Sequence, residues 1–157
     1  MNLIVAVDEN WAIGKDGDQL AYIRADLKRF KALTDGHAVI LGRKTLATFP
    51  GGRPLKGRRN LILSATPGYT VEGAEVYPSI EQLLQNAPSD AFVIGGSSVY
   101  DALVDQCDTA YVTKILSSFP ADRWFPDLDK REGWQAVEHS EIMEEEGLRF
   151  QYITYKK

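Results

Sequence analysis

Short runs at residues 3–7, 38–41, 60–63 and 91–94 are mainly apolar, with no polar alternation. Each predicts a strand buried on both faces, as in a parallel sheet covered by helices. Helical spacing fills the intervals. Residues 25–33 carry Leu27, Phe30 and Leu33 at intervals of three, and residues 44–49 predict a second, short helix. A third, over 79–85, opens on Ser79 as its cap, and a fourth spans 99–104. Beyond Cys107 the pattern becomes extended, with strands predicted at 109–115, 134–139 and 148–155. Glu144-Glu145-Glu146-Gly147 predicts a solvated hairpin turn. The order implies an α/β fold with a mostly parallel sheet and an antiparallel hairpin at the C-terminus.

The 157 residues suit one domain, and no linker, repeat or low-complexity stretch divides them. With 44% hydrophobic and 25% charged residues the chain has the composition of a soluble globular protein. The net charge of -4 provides no broad positive field, so neither nucleic acid nor a membrane surface is an expected partner. An anionic ligand would need a local basic pocket. Cys107 is the only cysteine, which excludes an intramolecular disulfide and suits a reducing compartment. His37 and His139 stand far apart, so no metal site is expected. The N-terminal apolar run is too short for a signal or a span and Asp8 stops it, so the expected location is the cytoplasm.

Several common chemistries lack their residues. The dinucleotide fingerprint Gly-x-Gly-x-x-Gly is absent. Gly42-Arg43-Lys44-Thr45 looks like the end of a phosphate-binding loop, but Arg43 replaces its second glycine and Ala38 its first. Gly95-Gly96-Ser97-Ser98-Val99 resembles a nucleophile elbow whose closing glycine has become Val99.

Two places share one grammar of buried strand, glycine turn and short helix: Val39 to Thr45, and Val93 to Tyr100. Each offers backbone N–H groups at a helix start, where an anion is stabilised, and glycine lets a ligand approach the backbone. Each alone is an ordinary strand-to-helix turn. Two together, one with Arg43 and Lys44, suit the two ends of a bisphosphate cofactor.

Asp26 lies in the first turn of a helix whose Leu27 and Phe30 are apolar, so its face is expected to point inward. A carboxylate so placed costs desolvation unless a donor or cation meets it. The alternative is an acid that complements the helix dipole. Arg53-Pro54-Leu55-Lys56-Gly57-Arg58-Arg59 packs four cations into seven residues, either a solvated loop or a clamp for a ligand carboxylate. Thr113 is a good strand former whose hydroxyl could orient Asp26. Trp11, Trp124 and Trp134 are expected in packing roles.

Taken in order, these stretches resemble dihydrofolate reductase. The matching pieces are Ala12-Ile13-Gly14, Ala25-Asp26-Leu27 with Phe30-Lys31, Leu41 to Thr45, Arg53 to Asn60, Val93-Ile94-Gly95-Gly96, Val99-Tyr100, Tyr111-Val112-Thr113 and Phe125-Pro126-Asp127. They cover nearly the whole chain. The resemblance implies a single domain over residues 1–157, with a mixed, mostly parallel eight-stranded sheet, four flanking helices and an adenosine-binding part at about 38–88. It implies NADPH-dependent reduction of 7,8-dihydrofolate to 5,6,7,8-tetrahydrofolate for one-carbon metabolism, by hydride transfer to pterin C6 with protonation at N5. It also implies a monomer and an antifolate target.

For the substrate, the resemblance implies that Asp26, supported by Thr113, holds the pterin 2-amino group and N3. Leu27 and Phe30 would wall the rings, Ile4, Val5 and Ala6 would form the floor with Ile94 and Tyr100 nearby, and Arg58 would bind the glutamate carboxylate. For the cofactor it implies Ala6, Ile13, Gly14, Gly42, Leu63, Gly95, Gly96, Ser97, Ser98 and Val99, with a cis bond joining Gly95 to Gly96. Arg43, Lys44, Thr45 and Ser64 would take the adenine-side phosphates. Residues 12–19 would form a mobile loop over the nicotinamide. Gln19-Leu20-Ala21 departs from the family's usual apolar-Pro-Trp, which implies a different water network beside the pterin. Either Phe49 or Pro50 would line the benzoyl pocket. Two other readings use the same residues: a same-fold reductase of a tail-less pterin or pyrimidine, and a non-catalytic nucleotide-binding module.

Overall fold

Alternation along each buried strand sends its side chains into two different cores. The computed structural model describes residues 1–157. In chain order its first half holds β1 (Asn2–Val7), β2 (Ala12–Lys15), β3 (Asp18–Gln19), α1 (Arg24–Thr34), β4 (Ala38–Gly42), α2 (Arg43–Ala47), β5 (Arg59–Leu63) and β6 (Ala74–Tyr77). There follow α3 (Ile80–Asn86), β7 (Phe92–Gly95), α4 (Ser97–Leu103), β8 (Thr109–Ile115), β9 (Arg123–Trp124), β10 (Gln135–His139), β11 (Met143–Glu145) and β12 (Leu148–Lys156). Eight strands lie side by side in the order β10-β12-β8-β1-β7-β4-β5-β6, and β11 adds to β12. From β8 to β6 every pairing is parallel, while β12 joins β8, β10 and β11 antiparallel.

Leu3, Val5 and Val7 of β1 enter one core with Ile40, Leu61, Val93 and Val112, covered by Leu83 of α3 and Val99 and Leu103 of α4. Ile4, Val39, Leu41, Ile62 and Phe92 point the other way, into a core closed by Phe30 and Leu33 of α1 and Leu46 of α2. Both faces are covered, which is why these strands read as continuous apolar runs. Between Ile40 and Leu41 the pairing of β4 with β7 slips by one residue, so that Leu41 faces Gly95 and Ile94 is skipped.

The sheet, its mostly parallel order and the four helices agree with the sequence reading. Other expectations need correcting. The acidic turn is shorter than 144–147, because Glu144 and Glu145 pair with Arg149 and Leu148 in β11. Only Glu146 and Gly147 turn, both at positive φ, the geometry of a two-residue hairpin. Trp134 precedes β10 rather than starting it and is buried in the first core. The edge strand β6 and the small sheet β3-β2-β9 were not predicted, being too short to show a period.

Asp8 is more than the end of an apolar run. Its fully buried carboxylate accepts backbone N–H groups from Asn10 at 2.8 Å, Ala12 at 3.0 Å and Phe119 at 3.0 Å. It thereby ties the start of β2 to the loop after β8. Within that turn Trp11 takes a φ of 62°, a region bulky residues seldom adopt, and its ring stacks on Phe125.

Candidate active site

A cleft of about 940 Å³ opens at the carboxyl ends of β1, β4, β5 and β7, where open parallel sheets bind ligands. Every residue singled out from the sequence as a site residue lines it, with the exception of Arg58. The floor comes from Ile4, Val5 and Ala6 of β1 with Ile94 of β7.

Register brings the two glycine turns together. Leu41 pairs with Gly95, so Gly42 and Gly96 cap α2 and α4 side by side. Neither glycine offers a side-chain cap, which leaves first-turn N–H groups of both helices free to meet a ligand. The backbone is tightly packed there. A methyl group added at Gly95 or Gly96 would stand 3.3 or 3.2 Å from Thr45 Oγ1, and one at Gly42 would stand 3.2 Å from Val99 Cγ2. Gly95 has a φ of 141°, and its bond to Gly96 is cis. Ser97, Ser98 and Val99 continue this wall.

A cationic corner flanks the turns. Arg43 lies over the Tyr69 ring, 4.3 Å from its centroid, and donates to Thr66 Oγ1 at 3.2 Å. Lys44, Thr45, Leu63 and Ser64 complete the corner, and Ser64 Oγ accepts the Thr66 N–H at 3.3 Å. Two helix starts, close backbone and a cationic corner suit a ligand that carries a diphosphate and a further phosphate.

Across the cleft, Asp26 Oδ1 accepts the Thr113 hydroxyl at 2.5 Å. Burial raises the Asp26 pKa above the ordinary carboxylate range, while the Thr113 hydroxyl and the Arg29 charge pull it back. The Tyr100 hydroxyl donates to the Ile4 carbonyl at 2.7 Å, and burial raises its pKa, so it stays neutral. Phe30 is partly buried, as expected. Leu27 is 46% exposed, a correction to the inward face read for it, because it looks into the open cleft rather than a closed core. Phe49 lines the cleft and Pro50 does not.

Arg58 stands outside the cleft lining, yet its guanidinium is already oriented. Nε donates to the Lys56 carbonyl at 2.8 Å, and one terminal nitrogen donates to Thr34 Oγ1 at 3.2 Å. Arg59, beside it in sequence, is spent on Glu75 through bonds of 2.5 and 2.8 Å.

The covering segment is a hairpin. Gly14 pairs with Gln19 and Lys15 with Asp18, so Ile13, Gly14 and residues 17–21 reach the cleft. A side chain at Gly14 would meet the Asp18 carbonyl at 3.0 Å. On its outer edge the Asp16 N–H donates to Asp122 Oδ2 at 3.0 Å. Sequence reasoning missed Ala47, Thr48, Thr66, Ile115 and Arg123 in the lining. Ile115 stood two residues beyond Thr113 on a strand, which is a usable signal. Arg123 had none, since β9 reaches the cleft only through pairing with β2.

The sequence profile of the dihydrofolate reductase family matches residues 1–157. Dihydrofolate reductase of Bacillus subtilis (strain 168) is 35% identical over 161 residues, covering 100% of this chain and 94% of that protein. Dihydrofolate reductase type 3 of Salmonella typhimurium is 39% identical over 142 residues, 89% of this chain and 86% of that protein. Among solved structures, dihydrofolate reductase from Enterococcus faecalis complexed with NADP(H) and RAB-propyl aligns with a TM-score of 0.86. It is 35% identical, over 99% of this chain and 94% of that one.

Proposed function

The chain belongs to the dihydrofolate reductase family, and on that premise we propose that it reduces 7,8-dihydrofolate to 5,6,7,8-tetrahydrofolate at the expense of NADPH. The observation that carries this reading is the Asp26–Thr113 pair, a partly buried acid facing a cleft whose other wall is two free helix starts. A flat heterocycle with an amidine-like edge suits such an acid, which would accept from the pterin 2-amino group and N3. Leu27, Phe30 and Phe49 give the apolar walls, and Ile4, Val5, Ala6 and Ile94 the floor.

Bound along the glycine turns, NADPH would supply the hydride that pterin C6 accepts. Arg43, Lys44, Thr45 and Ser64 would hold its adenine-side phosphates, and Gly95 to Val99 its diphosphate. The negative charge of Asp26 raises the basicity of the pterin and so favours protonation at N5 through water. Tyr100 keeps the Ile4 carbonyl occupied, which fixes the floor strand beneath the rings. The hairpin over residues 12–19 limits water near the reacting carbon. Arg58 would take the glutamate carboxylate, a group that a tail-less pterin or pyrimidine lacks. On this reading the enzyme works as a monomer in the cytoplasm, with small molecules as its partners. No helix is long and apolar enough to cross a membrane.

The test is to mix the protein with NADPH and dihydrofolate and follow the loss of nicotinamide absorbance. Turnover with dihydrofolate supports the reading. Turnover only with a tail-less substrate would assign a different reductase, and cofactor binding without turnover a nucleotide-binding module.

A further inference from the structure

Arg29 follows Asp26 by three residues, a spacing that places both on one side of α1. That side lies against β8 and β12. Tyr152 pairs directly with Thr113, and Thr154 with Tyr111, so Tyr111, Thr113 and Tyr152 share one face of the sheet. On this face Asp26 meets Thr113, and the Arg29 guanidinium lies 4.0 Å from the centroid of the Tyr152 ring and 5.9 Å from that of Tyr111.

Arg29 is partly buried, forms no ion pair and no side-chain hydrogen bond, and does not line the cleft. A cation withdrawn from water needs compensation. Here it comes from two aromatic faces and from the Asp26 charge. We propose that Arg29 is a positioning residue for the reaction, whose guanidinium acts from behind Asp26 to hold that carboxylate charged and so sets the pH at which the active site takes up its proton. The role rests on the assignment of Asp26 to the pterin.

The groups that bear on Asp26 come from four elements. They are Arg29 on α1, the Thr113 hydroxyl on β8, the Tyr100 hydroxyl on α4 and the Tyr152 hydroxyl on β12. Tyr111 faces Arg29, and Glu145 on β11 bears on Tyr152. Arg29 is the only cation among them. Burial and the Asp26 charge raise the Tyr152 hydroxyl, so it stays neutral and cannot replace the guanidinium. Burial drives Asp26 toward its protonated form, and Arg29 opposes this from outside the substrate cleft.

The test titrates the Asp26 carboxyl carbon by NMR in the full-length protein, identified by its loss in Asp26→Asn. Arg29→Gln keeps a planar group over Tyr152 without the charge, and Arg29→Lys keeps the charge. The expected result is a midpoint displaced to higher pH in Arg29→Gln and close to the parent in Arg29→Lys. The fall in turnover toward alkaline pH should move upward in Arg29→Gln, since a site without that cation retains its proton longer. An unmoved midpoint in Arg29→Gln, or an equal displacement in Arg29→Lys, would overturn the proposal. Arg29→Met gives the same reading should the glutamine variant not fold. Failure of the Asp26 assignment looks different: Asp26→Asn would leave the pH–rate profile unchanged while the carboxyl titration still responded to Arg29.

Discussion

The carboxylate of Glu145 accepts the backbone N–H of Arg24 at 2.6 Å and so caps the helix that carries Asp26 from 121 residues away. Its other oxygen accepts the Ala25 N–H at 3.2 Å, while Ile23, the residue at the cap position, contributes no side-chain bond. An acid at a helix start satisfies orphan donors and complements the dipole. Glu145→Ala should cost about 1 kcal/mol, lowering the melting temperature by roughly 2–4 °C. Glu145→Gln should recover part of the loss, and thermal denaturation monitored by circular dichroism checks both.

Asp26→Asn should trade stability against turnover. Burial raises the Asp26 pKa above its unfolded value of 3.8, so its contribution to stability is full below that pH. The contribution is lost as pH rises through the folded value, which leaves a cost at neutral pH. Asparagine removes the charge and can still accept from Thr113. The variant should gain about 1 kcal/mol at pH 7 and no stability in acid. Its turnover should fall strongly near neutrality and less in acid, where substrate arrives already protonated. Denaturant unfolding and a pH–rate profile read the two effects.

Arg58→Ala should raise KM for dihydrofolate about ten- to a hundredfold, the worth of a charge-assisted pair, with cofactor affinity unchanged. Thr34→Val should raise it less, because it removes only the hydroxyl that accepts from the guanidinium. Steady-state kinetics with the two substrates varied separately would distinguish this from a cofactor effect.

Asp8→Ala should destabilise the fold by about 2 kcal/mol or more, since the Asn10, Ala12 and Phe119 N–H groups would lose their acceptor, that of Ala12 in a buried position and the other two in part-buried ones. The hairpin over the cleft begins in that turn, so KM for NADPH should rise as well. Urea unfolding and cofactor titration measure the pair of effects.

Cys107 should resist thiol reagents in the native protein. It is 2% exposed, and burial pushes its thiol up to about 11. Labelling at neutral pH should follow opening of the fold and slow further when NADPH is added, as binding to the native state requires. Rapid labelling unaffected by cofactor would show that α4 and its neighbours open locally.

Most of the fold was legible because its signals are local. The runs around Ile4, Ile40, Leu61 and Val93 carry the parallel sheet, and Asp26 stood out as an acid among apolar neighbours. What escaped depended on residues distant in sequence. Asp8 looked like a terminator and proved to gather three donors. Arg29 was not singled out at all, and only the pairing of Tyr152 with Thr113 brings aromatic rings to it. Arg58 and Arg59 are indistinguishable in a cationic run until Glu75 occupies one of them. Leu27 misled because an apolar side chain facing a ligand cleft reads like one facing a core.

The one-residue slip between β4 and β7 carries a constraint of another kind. It sets the height at which both glycine turns emerge, so a single inserted or deleted residue in either strand would separate them and reverse every side chain beyond it. Descendants of this chain can lengthen at the Glu146-Gly147 tip with little consequence. At the crossing of Leu41 and Gly95 they can change letters but not count, which makes chain length there a heritable trait as tightly held as any reactive group.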